Sequence, residues 1–287
     1  MGKIKKGWYE RKEIKRVTLD FVKTNCKLTE REEELLQIIS DRKLVRRDML
    51  EVISPSYRYL GENRTLIINR SINKMFKSMV VDKVHEPQEF MKGNKPATVA
   101  LDKAGAITLG VPFKQRIRHH MSVVRGDEYV TRSLPANYRH INGVNQLEVD
   151  TILFCEDNDS KIIQWVHEKP MELFWGQEKV LVIPDIIMEL KLADKALFAF
   201  VEYDTGSESK REKEPPIIRD KIIKYRKYML SGLWEDDYPQ FPMLLLVTED
   251  SNRIDFFNKK CKESGLLGMG VYYKNYSKFL EQLYNIM

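Results

Sequence analysis

Three carboxylates, Asp185, Glu202 and Asp204, have the types and spacing to do chemistry. Asp185 follows Pro184 at the start of an apolar, strand-like run. Glu202 and Asp204 close the next such run, LFAFVEYD at 197–204. Side chains alternate along a strand, so Glu202 and Asp204 share a face. Two adjacent strands would gather all three carboxylates around one small volume. Oxygen ligands of this kind suit a hard cation such as Mg²⁺. A metal held there would activate water and stabilise charge on a phosphodiester in transit. Lys221 and Lys224, in the following helical segment, are the candidate catalytic cations, with Tyr225 beside them. The plainer alternative is a set of strand-end polar residues neutralised by Lys221, Lys224 or Arg219. Two further patterns carry less. His119 and His120 are adjacent, and adjacent side chains do not face the same way, so they form a poor ligand pair. Glu189-Leu190-Lys191 lies only four residues after Asp185, on the same strand, and is a chance match to the same spacing.

A second set of residues suits a different polymer surface. The segment 64–78, RTLIINRSINKMFKS, contains no Asp or Glu. Leu66, Ile67, Ile68, Ile72, Met75 and Phe76 form an apolar face at helical spacing. The remaining positions include Arg64, Thr65, Asn69, Arg70, Asn73, Lys74 and Lys77. Arg and Asn read guanine and adenine edges bidentately in the major groove. Lys and Arg toward the ends contact phosphate. Arg46 and Arg47 at the preceding helix, and Lys92 and Lys95 in the following turn, extend the candidate DNA-binding set. A basic but unspecialised surface helix is the alternative reading.

The elements needed to position these residues are legible. Residues 1–27 form a basic arm, partly helical around 13–23. Thr29 and Glu32 predict a capping box at the start of a helix running to about Asp41, and four Glu in 30–34 suit the helix dipole there. A short helix over 46–52 ends at Ser54-Pro55, and the 64–78 helix follows. Runs at 79–84 and 97–101 flank a turn with Gly93, Asn94 and Pro96 and predict a hairpin carrying His85. Three helices and a hairpin make a winged helix-turn-helix over 28–110. Asp102–Ala106 starts another helix. Residues 111–155 read as a linker or extended loop to about 139, then a bridging helix over 138–154. Residues 156–287 alternate strand and helix signals. Strands are expected at 162–166, 179–185, 186–192, 197–204, 242–248 and 269–273, with helices at 217–230, 254–261 and 274–286. That pattern predicts an α/β domain around a central mixed sheet. The fold class is thus α+β for the first part and α/β for the second.

Composition sets the bounds. The chain has 287 residues, a net charge of +6 and 43% hydrophobic residues, which excludes collagen-like, low-complexity and disordered classes. No apolar run approaches the roughly 20 residues that span a bilayer, and the N-terminus lacks the apolar core of a secretory signal. Three scattered Cys without a CxxC argue against a disulfide framework or a Cys-rich zinc site and favour a reducing cytoplasm. The net charge hides an asymmetry of +10 for residues 1–150 against −4 for 151–287. Clustered positive charge suits a polyphosphate, where each contact releases condensed counterions.

Pro184-Asp185 followed by Glu202-Tyr203-Asp204 resembles the PD-(D/E)xK nuclease-like fold. Asp204 stands where that pattern has its catalytic lysine. The resemblance implies that Lys221 or Lys224 could supply the lysine from the helix, or that the fold is kept as a scaffold. Across about 28–257 the order of motifs resembles the replication-relaxation family of plasmids and mobile elements. LTEREEELLQII, LDKAGAITLG, RHINGVNQLEVD, VIPDIIMEL, FVEYDTGSES and KIIKYRKYM carry it. The resemblance implies a double-stranded DNA-binding protein acting in replication, copy control or mobilisation, with the nuclease-like domain as scaffold or oligomerisation module. A metal-dependent nuclease or nicking protein using Mg²⁺ is the second expectation, and a winged-helix repressor the third. A homodimer is expected, because one winged helix reads a short site. Replication or mobilisation proteins are the other expected partners, and no membrane is.

Overall fold

A computed structural model describes residues 16–86, 95–124, 127–207 and 216–286. Lys92, the turn at Gly93 and Asn94, most of the basic arm and most of the 207–216 loop lie outside the described residues. The chain divides into two compact units, Met1–Asn145 and Gln146–Met287.

The first unit opens with α1 (Leu19–Asn25), capped by Thr18, whose Oγ1 accepts from the Phe21 amide at 3.2 Å. In α2 (Glu30–Arg42) the expected capping box is present. The Glu32 amide donates to Thr29 Oγ1 at 3.4 Å, and the Thr29 amide donates to Glu32 Oε2 at 2.9 Å. The helix buries Leu35, Leu36 and Ile39 completely, each stabilising the fold by about 1.5–3 kcal/mol. Then come β1 (Leu44–Arg46), α3 (Arg47–Ile53), the short α4 (Pro55–Arg58) and α5 (Arg64–Lys77). Pro55 therefore does more than stop a helix. At the first helical position its missing N–H is no loss, and it starts α4.

After α5 come β2 (Val81–Val84) and β3 (Thr98–Leu101). With β1 they form a three-stranded antiparallel sheet in the order β1-β3-β2. Helix α6 (Lys103–Leu109) follows, N-capped by Asp102. The expected linker at 111–139 is corrected by the structure. It contains an antiparallel hairpin, β4 (Arg118–Val124) and β5 (Asp127–Ser133). Contacts to buried Asp82 on β2 hold this charged segment: His119 Nε2 lies 2.6 Å from Asp82 Oδ2, and Arg132 Nε donates to Oδ1 at 3.0 Å. The ring of His120 instead meets Ser133 Oγ at 2.9 Å, so the two histidines go separate ways, as strand alternation requires.

Helix α7 (Tyr138–Asp157) leads into the second unit. There β6 (Ser160–His167), β7 (Met171–Trp175), β8 (Glu178–Val182), β9 (Ile186–Leu192) and β10 (Lys195–Asp204) precede α8 (Pro216–Ser231). Then come β11 (Met243–Thr248), α9 (Asn252–Glu263), β12 (Gly268–Tyr272) and α10 (Tyr276–Ile286). The mixed five-stranded sheet has the order β12-β11-β10-β9-β6. Strands β10, β11 and β12 run parallel, whereas β10/β9 and β9/β6 are antiparallel. Strands β7 and β8 form a separate hairpin whose Met171, Leu173, Val180 and Val182 join the core that holds Ile218, Ile222 and Tyr225 of α8. Phe200 is fully buried at the centre of this core and stacks on Tyr225 with ring centroids 5.6 Å apart. Among the described residues no helix is long and apolar enough to cross a membrane.

Candidate functional site

Helix α5 owes its orientation to Ile68, Ile72, Met75 and Phe76, which are buried. That leaves Thr65, Leu66, Asn69, Arg70, Asn73, Lys74 and Lys77 exposed, a face free of acidic side chains. Arg70, Asn73, Lys74 and Lys77 line an open groove with Phe21 and Asn25 of α1, Lys27 and Ser78. Thr65, Asn69, Arg70 and Lys77 have no hydrogen-bond or ion-pair partner among the described residues. Lys74 Nζ lies 2.6 Å from Glu32 Oε2, the same carboxylate that completes the capping box of α2. Asn73 Oδ1 accepts from Lys83 Nζ on β2.

The rest of the predicted DNA-binding set is less open. Arg46 pairs with Asp48, and Arg47 pairs with Glu51 one helical turn on. Arg64 Nε lies 3.4 Å from Glu51 and its Nη1 donates to the Arg58 carbonyl at 3.3 Å. Arg47 and Arg64 thus share Glu51 and tie α3 to α5, while Arg46 is held at the start of α3. Lys95 Nζ lies 2.5 Å from Glu86. Sequence reading missed Lys83, because its role depends on the docking of β2 against α5. Burial, with the Arg132 and Lys77 cations close by, draws the Lys83 ammonium below its ordinary value.

In the second unit the carboxylates are built differently from expectation. Glu202 is buried on β10. Its Oε2 meets Lys221 Nζ, and the Tyr225 hydroxyl donates to its Oε1 at 2.6 Å. Lys221 and Tyr225 lie one turn apart on α8, so one helix face supplies both partners. Burial and the nearby Asp185 push the Glu202 carboxyl up to about 7, against the pull of Lys221 and Tyr225. Against the cost of burial, Glu202 and Asp185 hold the Lys221 ammonium above its ordinary value. Burial and Glu202 together raise the Tyr225 phenol well above its own. Asp185, just before β9, accepts from the Tyr203 amide at 2.8 Å. Lys224 is exposed and has no partner among the described residues. Arg219, also exposed, lies 3.5 Å from its neighbour Asp220.

Asp204 is engaged by protein donors. It was expected to join Asp185 and Glu202 as a metal ligand. Instead Arg253 Nη1 of α9 donates to its Oδ1 at 2.8 Å, and the hydroxyl of Thr248, its cross-strand partner on β11, donates to Oδ2 at 2.7 Å. The Gly206 amide adds a bond to Oδ1 at 3.1 Å. Both carboxylate oxygens are thus occupied by donors. Among the described residues no group of three or more His, Cys, Asp or Glu is placed to hold a metal ion. With Asp204 held by Arg253 and Thr248, its carboxylate is not open to share a cation with Asp185 and Glu202 in this arrangement. Thr248 and Arg253 were missed by sequence reading. A threonine ending the neighbouring strand was the available signal for the first; the Arg253 contact needs the docking of α9.

No curated protein and no solved structure matches the chain. The replication-relaxation family model matches residues 36–244, most of the chain, and the protein is therefore a member of the replication-relaxation family.

Proposed function

We propose that this protein binds double-stranded DNA in the replication or mobilisation of a plasmid or related mobile element, through a winged helix in its first unit. Helix α5 is the reading helix, and the β2–β3 hairpin is the wing. The observation that carries this reading is the exposed, acid-free face of α5, where Asn69 and Arg70 are unpaired among the described residues. The order α2, β1, α3, α5, β2, β3 with its β1-β3-β2 sheet supports it, and so does the family's association with replication and relaxation. Asn69 and Arg70 contact bases; Lys77 and Lys27 contact phosphate. A homodimer would double the short site one such unit reads.

The second unit serves as a PD-(D/E)xK-like scaffold. With the separate β7–β8 hairpin set aside, the sheet elements run helix, three strands, helix, strand (α7, β6, β9, β10, α8, β11), which supports that assignment. Glu202, Lys221 and Tyr225 satisfy one another's hydrogen bonds, and Asp204 is occupied by Arg253 and Thr248. The test of the DNA reading is gel-shift and anisotropy titration of the full chain on duplex DNA. Binding should weaken steeply as salt rises, and Arg70→Ala should lose affinity. Binding that Arg70→Ala and salt leave untouched would remove α5 from the interface. The scaffold assignment is tested with supercoiled plasmid in Mg²⁺ or Mn²⁺. No nicking is expected, and nicking that is lost in Asp185→Ala would replace the scaffold with a nuclease.

A further inference from the structure

We infer that Lys83 turns Asn73 into a one-sided hydrogen-bond donor on α5, so that Asn73 reads guanine where a free asparagine would read adenine. This rests on α5 being the DNA-reading helix.

The argument begins with the chemistry of the contact. An ammonium group has three donors and no acceptor. The amide atom of Asn73 that faces Lys83 Nζ must therefore be the oxygen, and the –NH₂ group is the one left to meet DNA. Lys83 is firmly held. It is only 8% exposed, and its strand β2 is paired there with Val99 of the central strand β3. Its Nζ sits 4.9 Å from the centroid of the Phe76 ring, which also carries the Arg132 guanidinium at 5.4 Å. Phe76 is itself a buried anchor of α5, so the ring fixes where the lysine meets the asparagine.

An asparagine recognises adenine by using both ends of its amide. The oxygen accepts from N6 while the nitrogen donates to N7. At Asn73 the oxygen already accepts from a cation, and that cation opposes the approach of another donor such as the adenine N6 amine. Guanine presents two acceptors, O6 and N7, to the same groove, and a donor-only amide suits them. Asn69, one turn earlier on the same face, is exposed and has no partner among the described residues, so it keeps both amide ends for adenine. Two asparagines one turn apart thus carry different meanings, and the difference comes from a β2 residue that touches no base. Lys83 is a positioning residue.

The test is selection by the full-length protein from duplexes with a randomised core, comparing the wild type with Lys83→Met and Asn73→Asp. The wild type should enrich guanine at one position beside an adenine-preferring one. Lys83→Met frees the amide oxygen and should move that position toward adenine by about tenfold. Asn73→Asp keeps the lysine contact but replaces the donor by an acceptor, and should move it toward cytosine, whose N4 amine donates. Thermal melting monitors folding. Should Lys83→Met fail to melt cooperatively, Asn73→Asp identifies the base that position 73 faces, and the wild-type choice of guanine or adenine at that base decides the question. Selective binding with adenine at the wild-type position, or base preferences that the folded variants leave unchanged, overturns the role of Lys83 and leaves the DNA reading standing. Absence of any selective duplex binding by the wild type overturns both.

Discussion

Glu202 governs how the second unit responds to pH. Its folded-state value of about 7 lies above the ordinary 4.5 of an unfolded glutamate. Between those values the folded protein keeps a proton that the unfolded chain has released, so stability falls as pH rises through that window. Below about 4.5 both states hold the proton and the effect vanishes. Glu202→Gln keeps its amide oxygen as acceptor for Lys221, offers its –NH₂ to the Tyr225 oxygen, and cannot titrate. Relative to wild type it should gain on the order of 1–3 kcal/mol between pH 4.5 and 7.5. Urea unfolding at a series of pH values measures this, and a flat difference would assign the titration elsewhere. Arg253 offers the opposite case. It is 5% exposed and pairs with Asp204 at 2.8 Å. Arg253→Met leaves the Asp204 carboxylate with the Thr248 hydroxyl and the Gly206 backbone amide as donors, and should lower unfolding free energy by about 3 kcal/mol. A loss below 0.5 kcal/mol would show that the pair is not structural.

Element ends and close approaches set how well the first unit folds. Thr29→Ala removes one half of the α2 capping box and should cost about 1 kcal/mol, read from the denaturation midpoint. Gly105 in α6 is demanding for a different reason. A Cβ there would meet the Val80 carbonyl oxygen at 2.2 Å and Leu101 Cδ1 at 2.8 Å. Gly105→Ala should therefore destabilise by 2 kcal/mol or more, by roughly the scale of core overpacking, despite alanine's better helix propensity; an unchanged melting temperature would contradict this packing. The elements that sequence reading recovered are those with local signals. Helix α2 has its cap and α5 its apolar stripe; β9, β10 and β11 have dense β-branched and apolar runs. The hairpin β4–β5 was not recovered. Its strands, RHHMSVV and DEYVTRS, lack the run of apolar residues that marks a strand. What fixes it is Asp82, thirty-seven residues before His119 and fifty before Arg132.

Across the whole molecule, the charge of +6 divides into a first half of +10 and a second of −4. The basic share lies with the unit that carries α5, so salt-sensitive DNA binding should follow that unit. A fragment ending at Asp157 keeps the β4–β5 hairpin and all of α7. It should retain duplex binding that weakens with added salt, measured by anisotropy; a folded fragment that ignores DNA at low salt would move the interface into the second unit. A cut near residue 110 should fail, because it removes Ile117 and Ile141, which complete a core with Leu44, Val84 and Ala100. Charge distribution, helix caps, strand alternation and the order of motifs were determined by the sequence alone, because each depends on composition or on residues a few positions apart. The partners of the carboxylates were decided only by the tertiary structure. Glu202 meets Lys221 rather than Lys224, and Asp204 meets Arg253 rather than a shared ligand site. Those outcomes depend on strand register and on the docking of α8 and α9 against the sheet. Alternation puts Glu202 and Asp204 on one face, but it cannot say which donors the neighbouring helices bring to each.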